Sequence, residues 1–447
     1  MRTQKLGEFI EKWHVKKDEW EGSKKLEVLG VSNVDGITMT SHKKSKDLSK
    51  YLVIEPNCFA YNPYRINVGS IGLTPKKIYG LVSPAYTVFK VKENKLIPEL
   101  LLDFLKSFDG LQQINKYARG TVRKALRYDD LCEIKVNFPN YEEQKIIYNK
   151  KLLTEKKQKE LSKEIQTQKQ LISQLKQAVL QDAIQGKLTQ EWRAQNPNTE
   201  PASELLKRIK AEKDQLIKDK KIRKEKALPP ITKEEIPFDI PKSWSWCRLG
   251  EITHTITKGS SPKWQGVQYV EEGVLFITSE NVGTNEILLK KKKFVQEKFN
   301  EIEPRSILKK GDILTNIVGA SIGRTAIWDK DEIANINQAV CLVRFPEEYF
   351  NKELLVNTLN SDFGIKLMMD GQFDTGRGNL SLGAVSKFKI PFPPKEEQKA
   401  IVEKVETLML KCNVLEQEIT QSEQHANMLM QAVLKEAFDC KKELYAE

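Results

Sequence analysis

One nine-residue stretch occurs twice in the sequence in closely similar form, and this repeat is the main evidence for the fold. The first copy is Asn137-Phe138-Pro139-Asn140-Tyr141-Glu142-Glu143-Gln144-Lys145, and the second is Pro391-Phe392-Pro393-Pro394-Lys395-Glu396-Glu397-Gln398-Lys399. The two Glu-Glu-Gln-Lys runs lie 254 positions apart (396 − 142). Gln177-Ala178-Val179-Leu180 recurs as Gln431-Ala432-Val433-Leu434 at the same shift. A constant shift over this length of chain indicates a tandem duplication.

The earlier part of each copy matches in a looser register. Leu6-Gly7-Glu8 returns as Leu249-Gly250-Glu251 at a shift of 243 (249 − 6), and Ser70-Ile71-Gly72 returns as Ser321-Ile322-Gly323 at 251 (321 − 70). Loops tolerate insertions, which would explain the changing shift without any functional reason. The changing shift is equally expected if the two copies recognise different partners.

Each copy ends in a predicted long helix. Residues 142–185 contain no proline or glycine and are rich in Glu, Lys, Gln and Leu, and apolar residues recur at alternating spacings of four and three. The predicted coiled-coil seam is Leu161, Ile165, Gln168, Ile172, Leu175 and Val179 in the first copy, and Leu415, Ile419, Ser422, Ala426, Leu429 and Val433 in the second.

A single helix cannot bury so narrow a row of apolar side chains by itself, so each predicted seam needs a second helix to cover it. We expect the two helices to pair as an antiparallel coiled coil about 60 Å long, with Gln168 and Ser422 as a polar layer that fixes the register. The alternative is that each helix folds back on its own globular domain.

The fold class is therefore α/β or α+β, with two globular domains in tandem. We expect the first globular domain at 1–140, its helix at 141–187, a connection with a short basic helix and a proline-rich part at 188–243, the second globular domain at 244–394 and the last helix at 395–447. Residues 100–111 and 354–368 each read as one amphipathic helix. The basic connection could touch phosphates or could simply be a solvated helix face.

The composition of the chain indicates which classes of partner and which cellular compartment to expect. A net charge of +12 favours a polyanionic partner, although a lysine-rich solvated surface would give the same value. No apolar run approaches a membrane span, so no membrane partner is expected. The six cysteines are scattered without any paired Cys-x-x-Cys spacing, which favours a reducing, cytoplasmic location and predicts no metal site.

No catalytic motif is apparent, and we expect no catalytic residues. There is no Gly-rich phosphate loop ending in Gly-Lys-Ser/Thr, and the four histidines lack metal-ligand spacing. Asn62-Pro63-Tyr64 lacks one proline of the Asn-Pro-Pro-Tyr motif of adenine methyltransferases, and a turn is the simpler interpretation.

Both domains contain loops that are rich in polar residues and interrupted by glycines, and these loops are the candidate binding surfaces. Arg and Lys pair with guanine edges, Asn and Gln with adenine, and Ser and Thr with phosphates. The candidate DNA-binding residues are Arg65, Asn67, Ser70, Lys76, Lys77, Arg119, Thr121, Arg123 and Lys124 in the first copy, and Lys258, Ser260, Lys263, Asn316, Ser321, Arg324, Gln372, Thr375 and Arg377 in the second.

Taken together, the Phe-Pro…Glu-Glu-Gln-Lys junctions, the Gln177–Leu188 segment and the run Ile236-Pro237…Trp244…Leu249-Gly250-Glu251 resemble the specificity subunits of type I restriction-modification systems. That resemblance covers essentially the whole chain. It implies two target recognition domains, each reading one half of a bipartite, asymmetric double-stranded DNA site. The helices would set the gap between the halves and dock two methyltransferase subunits, and motor-nuclease subunits would complete the complex.

The resemblance also implies that this chain binds no cofactor, because the methyltransferase subunits would bring S-adenosylmethionine and the motor subunits ATP and Mg. The first domain begins near Met1, so we expect the C-terminal helix to close the pseudo-symmetric arrangement. Three other functions stay open: a fused DNA methyltransferase with degenerate motifs, a coiled-coil scaffold without a DNA role, and the specificity component of a related defence system that does not cleave.

Overall fold

The computed structural model describes residues 3–39, 47–120, 123–224, 227–373 and 378–439. The chain divides into two compact units, residues 1–163 with 423–447, and residues 164–422. Each unit combines helices with several small β-sheets, so the predicted mixed α/β class is confirmed.

The first unit contains ten strands and three complete helices among its described residues. The strands are β1 (Gln4–Lys5), β2 (Ile10–Lys12), β3 (Glu27–Ser32), β4 (Gly36–Met39), β5 (Leu52–Ile54), β6 (Cys58–Tyr61), β7 (Ile71–Leu73), β8 (Gly80–Val82), β9 (Thr87–Val91) and β10 (Lys135–Val136). The helices are α1 (Pro98–Lys106), α2 (Phe108–Tyr117) and α3 (Tyr128–Cys132), and residues 141–163 of α4 (Tyr141–Ile184) also belong here.

The second unit continues α4 and adds twelve strands and eight further helices in its described part. The strands are β11 (Ser245–Arg248), β12 (Thr255–Lys258), β13 (Tyr269–Val270), β14 (Val274–Ile277), β15 (Phe294–Val295), β16 (Asp312–Asn316), β17 (Thr325–Trp328), β18 (Ala334–Ile336), β19 (Val340–Arg344), β20 (Gln372–Phe373), β21 (Asn379–Leu380) and β22 (Lys389–Phe392). The helices are α5 (Gln190–Gln195), α6 (Ala202–Lys218), α7 (Leu249–Ile252), α8 (Lys298–Ile302), α9 (Lys352–Asn360), α10 (Asp362–Asp370), α11 (Leu382–Ser386) and α12 (Lys395–Asp439), which leaves this unit after residue 422.

The two units share the strand order of one antiparallel sheet, which confirms the duplication. The antiparallel sheet β2-β9-β6-β7 corresponds to β12-β19-β16-β17. The second sheet, β4-β3-β8-β5 or β13-β15-β14-β18, contains one parallel pair in each unit, β3 with β8 and β14 with β18. In each unit the first strand pairs antiparallel with the last strand, β1 with β10 and β11 with β22.

The glutamine of the repeated Glu-Glu-Gln-Lys motif fastens each long helix to its own globular domain. Gln144 is fully buried, accepts the backbone N–H of Ile97 at 2.9 Å and donates to the carbonyl of Pro139 at 2.9 Å. Gln398 makes the same two bonds, to Asn351 at 2.8 Å and Pro393 at 3.1 Å. A buried amide side chain that pairs both its donor and its acceptor with the backbone explains why this motif recurs.

The two amphipathic helices expected at 100–111 and 354–368 are each two helices, so that prediction is wrong. α1 ends before Ser107, whose hydroxyl oxygen accepts the N–H of Gly110 at 3.1 Å, and α2 then begins. Ser361 and Gly364 repeat this turn between α9 and α10. A Cβ on either glycine would collide with a backbone carbonyl of the preceding helix, so the turn needs glycine there.

Within the second unit, α4 and α12 pack against each other and run in opposite directions. Lys176 forms an ion pair with Glu416 at 2.7 Å, whereas Arg193, beyond the end of α4, reaches back to Glu397 at 2.5 Å. Val179 lies in the same hydrophobic core as Ile401 of α12. The predicted antiparallel pairing is confirmed for this stretch.

The predicted seam is only partly correct. Ile165, Ile172 and Val179 are buried, and Ile419 and Ala426 are half-buried. The remaining predicted positions with described side chains, Leu161, Gln168, Leu175, Leu415, Ser422 and Leu429, are exposed, and the Val433 side chain lies outside the described part.

The physical reason is the helical angle. At about 100° per residue, Lys176 lies about 40° from Ile172 around the axis, nearer than the roughly 60° of Leu175. The contact line between the two helices therefore passes through Lys176 and Glu416. Their ion pair occupies the place that was predicted for Leu175 and Leu415. Gln168 and Ser422 do not form a buried polar layer.

The segment between the two copies packs onto the second unit. Ala202, Leu205 and Ile209 of α6 are buried in its main core, and Lys213 donates to the carbonyls of Gly250 and Thr253 at 2.6 and 2.7 Å. Along the described ranges, none of the helices combines the length and the apolar character needed to cross a membrane.

Candidate nucleic-acid interface

In the first unit, two of the predicted loops meet at one end of the sheet β2-β9-β6-β7. Residues 62–70 connect β6 to β7, and two backbone hydrogen bonds join Arg119 to Ala125. The N–H of Leu126 donates to the carbonyl of Pro63 at 3.0 Å, and the hydroxyl of Tyr61 donates to the carbonyl of Leu126 at 3.1 Å. Because burial raises the pKa of Tyr61 above its usual range, this phenol stays neutral and keeps its donor proton.

The geometry of Asn62-Pro63-Tyr64 is that of a turn. The Asn62 side-chain oxygen accepts the N–H of Tyr64 at 3.0 Å, and Gly69, with φ of 83°, ends the loop in a left-handed conformation. The amide of Asn62 is thus engaged with the local backbone. The interpretation as a turn accounts for this motif.

Most of the candidate residues of the first unit are exposed at this end. Arg65, Asn67, Arg123 and Lys124 are exposed, and so is Arg119, whose Nε is 2.8 Å from the Asp130 carboxylate. Thr121 lies outside the described residues.

Three candidates of the first unit do not join this surface. Ser70 is buried and donates to the carbonyl of Val31, so its assignment to an exposed loop is wrong. Lys76 and Lys77 are exposed but follow β7, near the Thr74–Cys58 backbone bonds at the opposite end of the sheet.

Four segments of the second unit lie at the equivalent end of the sheet β12-β19-β16-β17: residues 259–263, 317–324, 337–339 and the antiparallel pair of β20 and β21. Gly319 donates to the carbonyl of Gly378 at 3.0 Å, and Leu380 donates to Ile317 at 2.9 Å. Ile317 in turn donates to Ala339 at 2.9 Å. The hydrogen bonds therefore hold loops from distant parts of the sequence side by side.

Most of the described candidate residues of the second unit lie on these segments or, like Lys258 at the end of β12, directly beside them. Lys258, Lys263 and Arg324 are exposed, and Ser260, Ser321 and Gln372 are half-buried. Asn316 is fully buried and its amide donates to the carbonyls of Ser279 and Val282 at 2.9 and 3.2 Å, so its placement on an exposed loop is wrong. Thr375 and Arg377 lie outside the described residues.

Sequence reasoning missed two features of these surfaces. In the first unit the tip of the β3–β4 hairpin, residues 32–36, lies against the 62–70 loop, since a Cβ on Gly69 would lie 3.9 Å from the carbonyl oxygen of Asn33. In the second unit Trp264 is 74% exposed beside Lys263. The Asp35-Gly36 pair is a hairpin signal that could have located the first feature.

Metal-ligating groups are dispersed. Across the described ranges, no three His, Cys, Asp or Glu side chains lie close enough together to hold a metal ion.

The family model for the type I restriction modification DNA specificity domain matches residues 1–177 and 241–422, one match for each copy of the repeat. The chain belongs to this family. The resemblance inferred from the repeated junctions is therefore confirmed.

Two relatives among the specificity subunits come from Escherichia coli. The chain is 31% identical to the type I restriction enzyme EcoAI specificity subunit over 248 residues, which are 55% of this chain and 41% of that subunit. It is 24% identical to the EcoDI specificity subunit over 390 residues, 86% of this chain and 80% of that subunit. The chain thus covers less than half of the EcoAI subunit.

Solved specificity-family structures share the fold over nearly the whole chain. One comes from work on complex assembly and conformational transition of the type I R-M system, with a TM-score of 0.60, 17% identity and coverage of 98% of this chain and 97% of that one. The HsdS subunit from Thermoanaerobacter tengcongensis gives a TM-score of 0.54, 18% identity and coverage of 98% and 96%.

Proposed function

We propose that this chain is the DNA-recognition subunit of a type I restriction-modification complex and has no reaction of its own. Each unit reads one half of a bipartite, asymmetric duplex target with the loop end of its antiparallel sheet. The observation that carries the proposal is the same placement in both units of exposed Arg and Lys side chains, at the end of the sheet where backbone hydrogen bonds hold several loops together. Rigidly held donors of this kind suit base edges and phosphates.

The long helices set the gap between the two half-sites and dock two methyltransferase subunits. The support is the antiparallel packing of α4 on α12, which leaves Leu171, Leu175 and Leu415 exposed beside the Lys176–Glu416 ion pair. Apolar side chains that the pair itself does not bury are available to a partner helix. Removing the residues after Asn413 is expected to abolish assembly with the methyltransferase subunits.

The partner subunits supply the cofactors in this proposal. Methyltransferase subunits bring S-adenosylmethionine, and motor-nuclease subunits bring ATP and Mg, so the isolated chain binds none of the three. A cytoplasmic location belongs to the same proposal. Measurable S-adenosylmethionine binding by the isolated chain would favour the fused methyltransferase instead.

The decisive experiment maps methylated adenines in DNA from cells that carry the chain with its methyltransferase subunits. A two-part asymmetric motif with a fixed gap is expected, and a continuous palindrome would contradict two distinct reading units. A motif without an accompanying nuclease activity would point to the related, non-cleaving defence system.

Single substitutions then show which unit reads which half of the DNA target. Arg65→Ala is expected to relax specificity in one half-site and Arg324→Ala in the other, each by about 1–3 kcal/mol of discrimination. Lys76→Ala, at the opposite end of the sheet, is the matched control and should leave the motif unchanged. Duplex binding should also fall steeply with salt, whereas a scaffold without a DNA role would show no such binding.

A further inference from the structure

Besides its charged residues, the loop end of the first unit displays apolar side chains. Val34 at the tip of the β3–β4 hairpin is 78% exposed, and Val68 and Tyr64 on the 62–70 loop are 57% and 60% exposed. Single exposed apolar residues are common on protein surfaces. These three stand on two segments that touch each other.

The two segments are held in contact by a close backbone approach. The hydroxyl of Ser70 donates to the carbonyl of Val31 at 3.3 Å, and a Cβ on Gly36 would lie 3.4 Å from the Cα of Gly72. Val34 and Val68 each lie one residue from the contact between Asn33 and Gly69. Val34, Val68 and Tyr64 thus lie on neighbouring parts of two touching segments, and we call these three exposed residues the apolar surface of this end.

Side-chain hydrogen bonds support the hairpin tip. The Ser32 hydroxyl oxygen accepts the N–H groups of Val34 at 3.0 Å and Asp35 at 2.9 Å, and Gly36, with φ of 69°, takes the left-handed position of a three-residue hairpin turn. Val34 is thus presented in a fixed direction.

The surroundings of this apolar surface have the chemistry of a DNA contact. Asn33 and Asn67 flank it on its own segments, and the cations Arg65, Arg123 and Lys124 lie on the same or the adjoining loop. Within the described ranges these three cations have no ion-pair partner, whereas Arg119 is paired with Asp130 and Asp35 is the one carboxylate on the hairpin tip. A polyanion complements this arrangement.

A duplex offers few apolar groups to such a surface. Of the base edges that unmodified DNA presents in the two grooves, only thymine carries a methyl group, its C5-methyl in the major groove. Resting on the proposed DNA-reading function, we propose that Val34 and Val68 bind thymine C5-methyl groups in the major groove of the half-site read by the first unit. These residues are then specificity determinants for thymine, alongside the asparagines and arginines around them.

The test removes the methyl group from the DNA and its contact from the protein. Once the target is mapped, duplexes are made in which the thymines of one half-site or the other are replaced by deoxyuridine. Their equilibrium binding is measured with the full chain assembled with its methyltransferase subunits. The Val34→Ala/Val68→Ala double variant is compared with wild type, and Ile78→Ala, an exposed apolar residue between β7 and β8 and outside the 62–70 loop, is the matched control.

Wild type and Ile78→Ala should each lose about threefold to fivefold in affinity per contacted methyl, for deoxyuridine in one half-site only. The double variant should show that loss already on thymine DNA and no further loss on deoxyuridine DNA. Equal wild-type affinity for both duplexes, a further loss in the double variant, or a first half-site without thymine would overturn the inference while sequence-specific binding persists. Absence of any sequence-specific binding would instead overturn the proposed function.

Discussion

Glu397 anchors the first turn of α12, and its removal should be the most damaging single substitution in that helix. Its side chain is fully buried. One carboxylate oxygen accepts from the Thr189 hydroxyl at 2.7 Å and from Arg193 at 2.5 Å, and the other accepts from the Trp244 indole N–H at 2.8 Å. The three donors come from the connection between the copies and from the start of the second globular domain.

Glu397→Ala removes the carboxylate partner of the Arg193 guanidinium, which keeps only neutral acceptors such as the carbonyl of Gly186 at 2.6 Å, and leaves the buried Trp244 indole N–H without its acceptor. Breaking a buried ion pair from one side costs about 3–5 kcal/mol. Glu143, 254 residues earlier, is the matched control, because its carboxylate accepts the backbone N–H of Asn140 at 3.1 Å at the start of α4. Loss of such a cap costs about 1 kcal/mol, so Glu397→Ala should be worse than Glu143→Ala by about 2–4 kcal/mol.

Urea unfolding of the full chain, followed by circular dichroism, measures the difference. Hydrogen exchange of residues 186–243 localises it, which is needed because two units can unfold separately. We expect faster exchange there in Glu397→Ala and wild-type exchange in Glu143→Ala. Equal unfolding midpoints, or unchanged exchange in that segment, would refute the view that this buried carboxylate holds the connection in place.

Three further predictions test the helix junction, the seam and the half-buried His254. Gln398→Leu leaves the N–H of Asn351 without its acceptor, and it should lower the free energy of unfolding by about 1–3 kcal/mol in urea titrations. Val179→Ala should cost about 1–3 kcal/mol and Leu175→Ala under about 0.5 kcal/mol by the same measurement, since Val179 is buried and Leu175 is exposed; a loss in Leu175→Ala as large as in Val179→Ala would support the seam predicted from the sequence. Burial, helped by the nearby charge of Lys213, lowers the pKa of His254, so the unfolded chain binds its proton first and stability is lost as the pH falls below about 6.5. Thermal melts at pH 5 and pH 8 should show a smaller acid loss in His254→Gln than in wild type.

Much of the candidate site could be located from sequence, but only to the level of loops. Arg65 and Arg324 were found because they are polar residues in glycine-punctuated stretches, and both are exposed at the end of the sheet. Asn316 satisfies the same local pattern but is the last residue of β16, where its amide is used by neighbouring carbonyls. Local composition does not distinguish these cases, because burial depends on segments far away in the chain.

The duplication, the two long helices and the family were determined by the sequence alone, because helix propensity and a constant repeat shift are properties of neighbouring and regularly spaced residues. Only the tertiary structure decided which helix face is buried, since a rotation between Leu175 and Lys176 depends on what α12 presents opposite. The tertiary structure also shows that the buried side chains of Gln144 and Gln398 attach each long helix to its own globular domain. It further shows that residues 32–36 lie at the loop end of the first unit. Each of these depends on a contact between residues distant in sequence, whose geometry is set by the packing of whole elements.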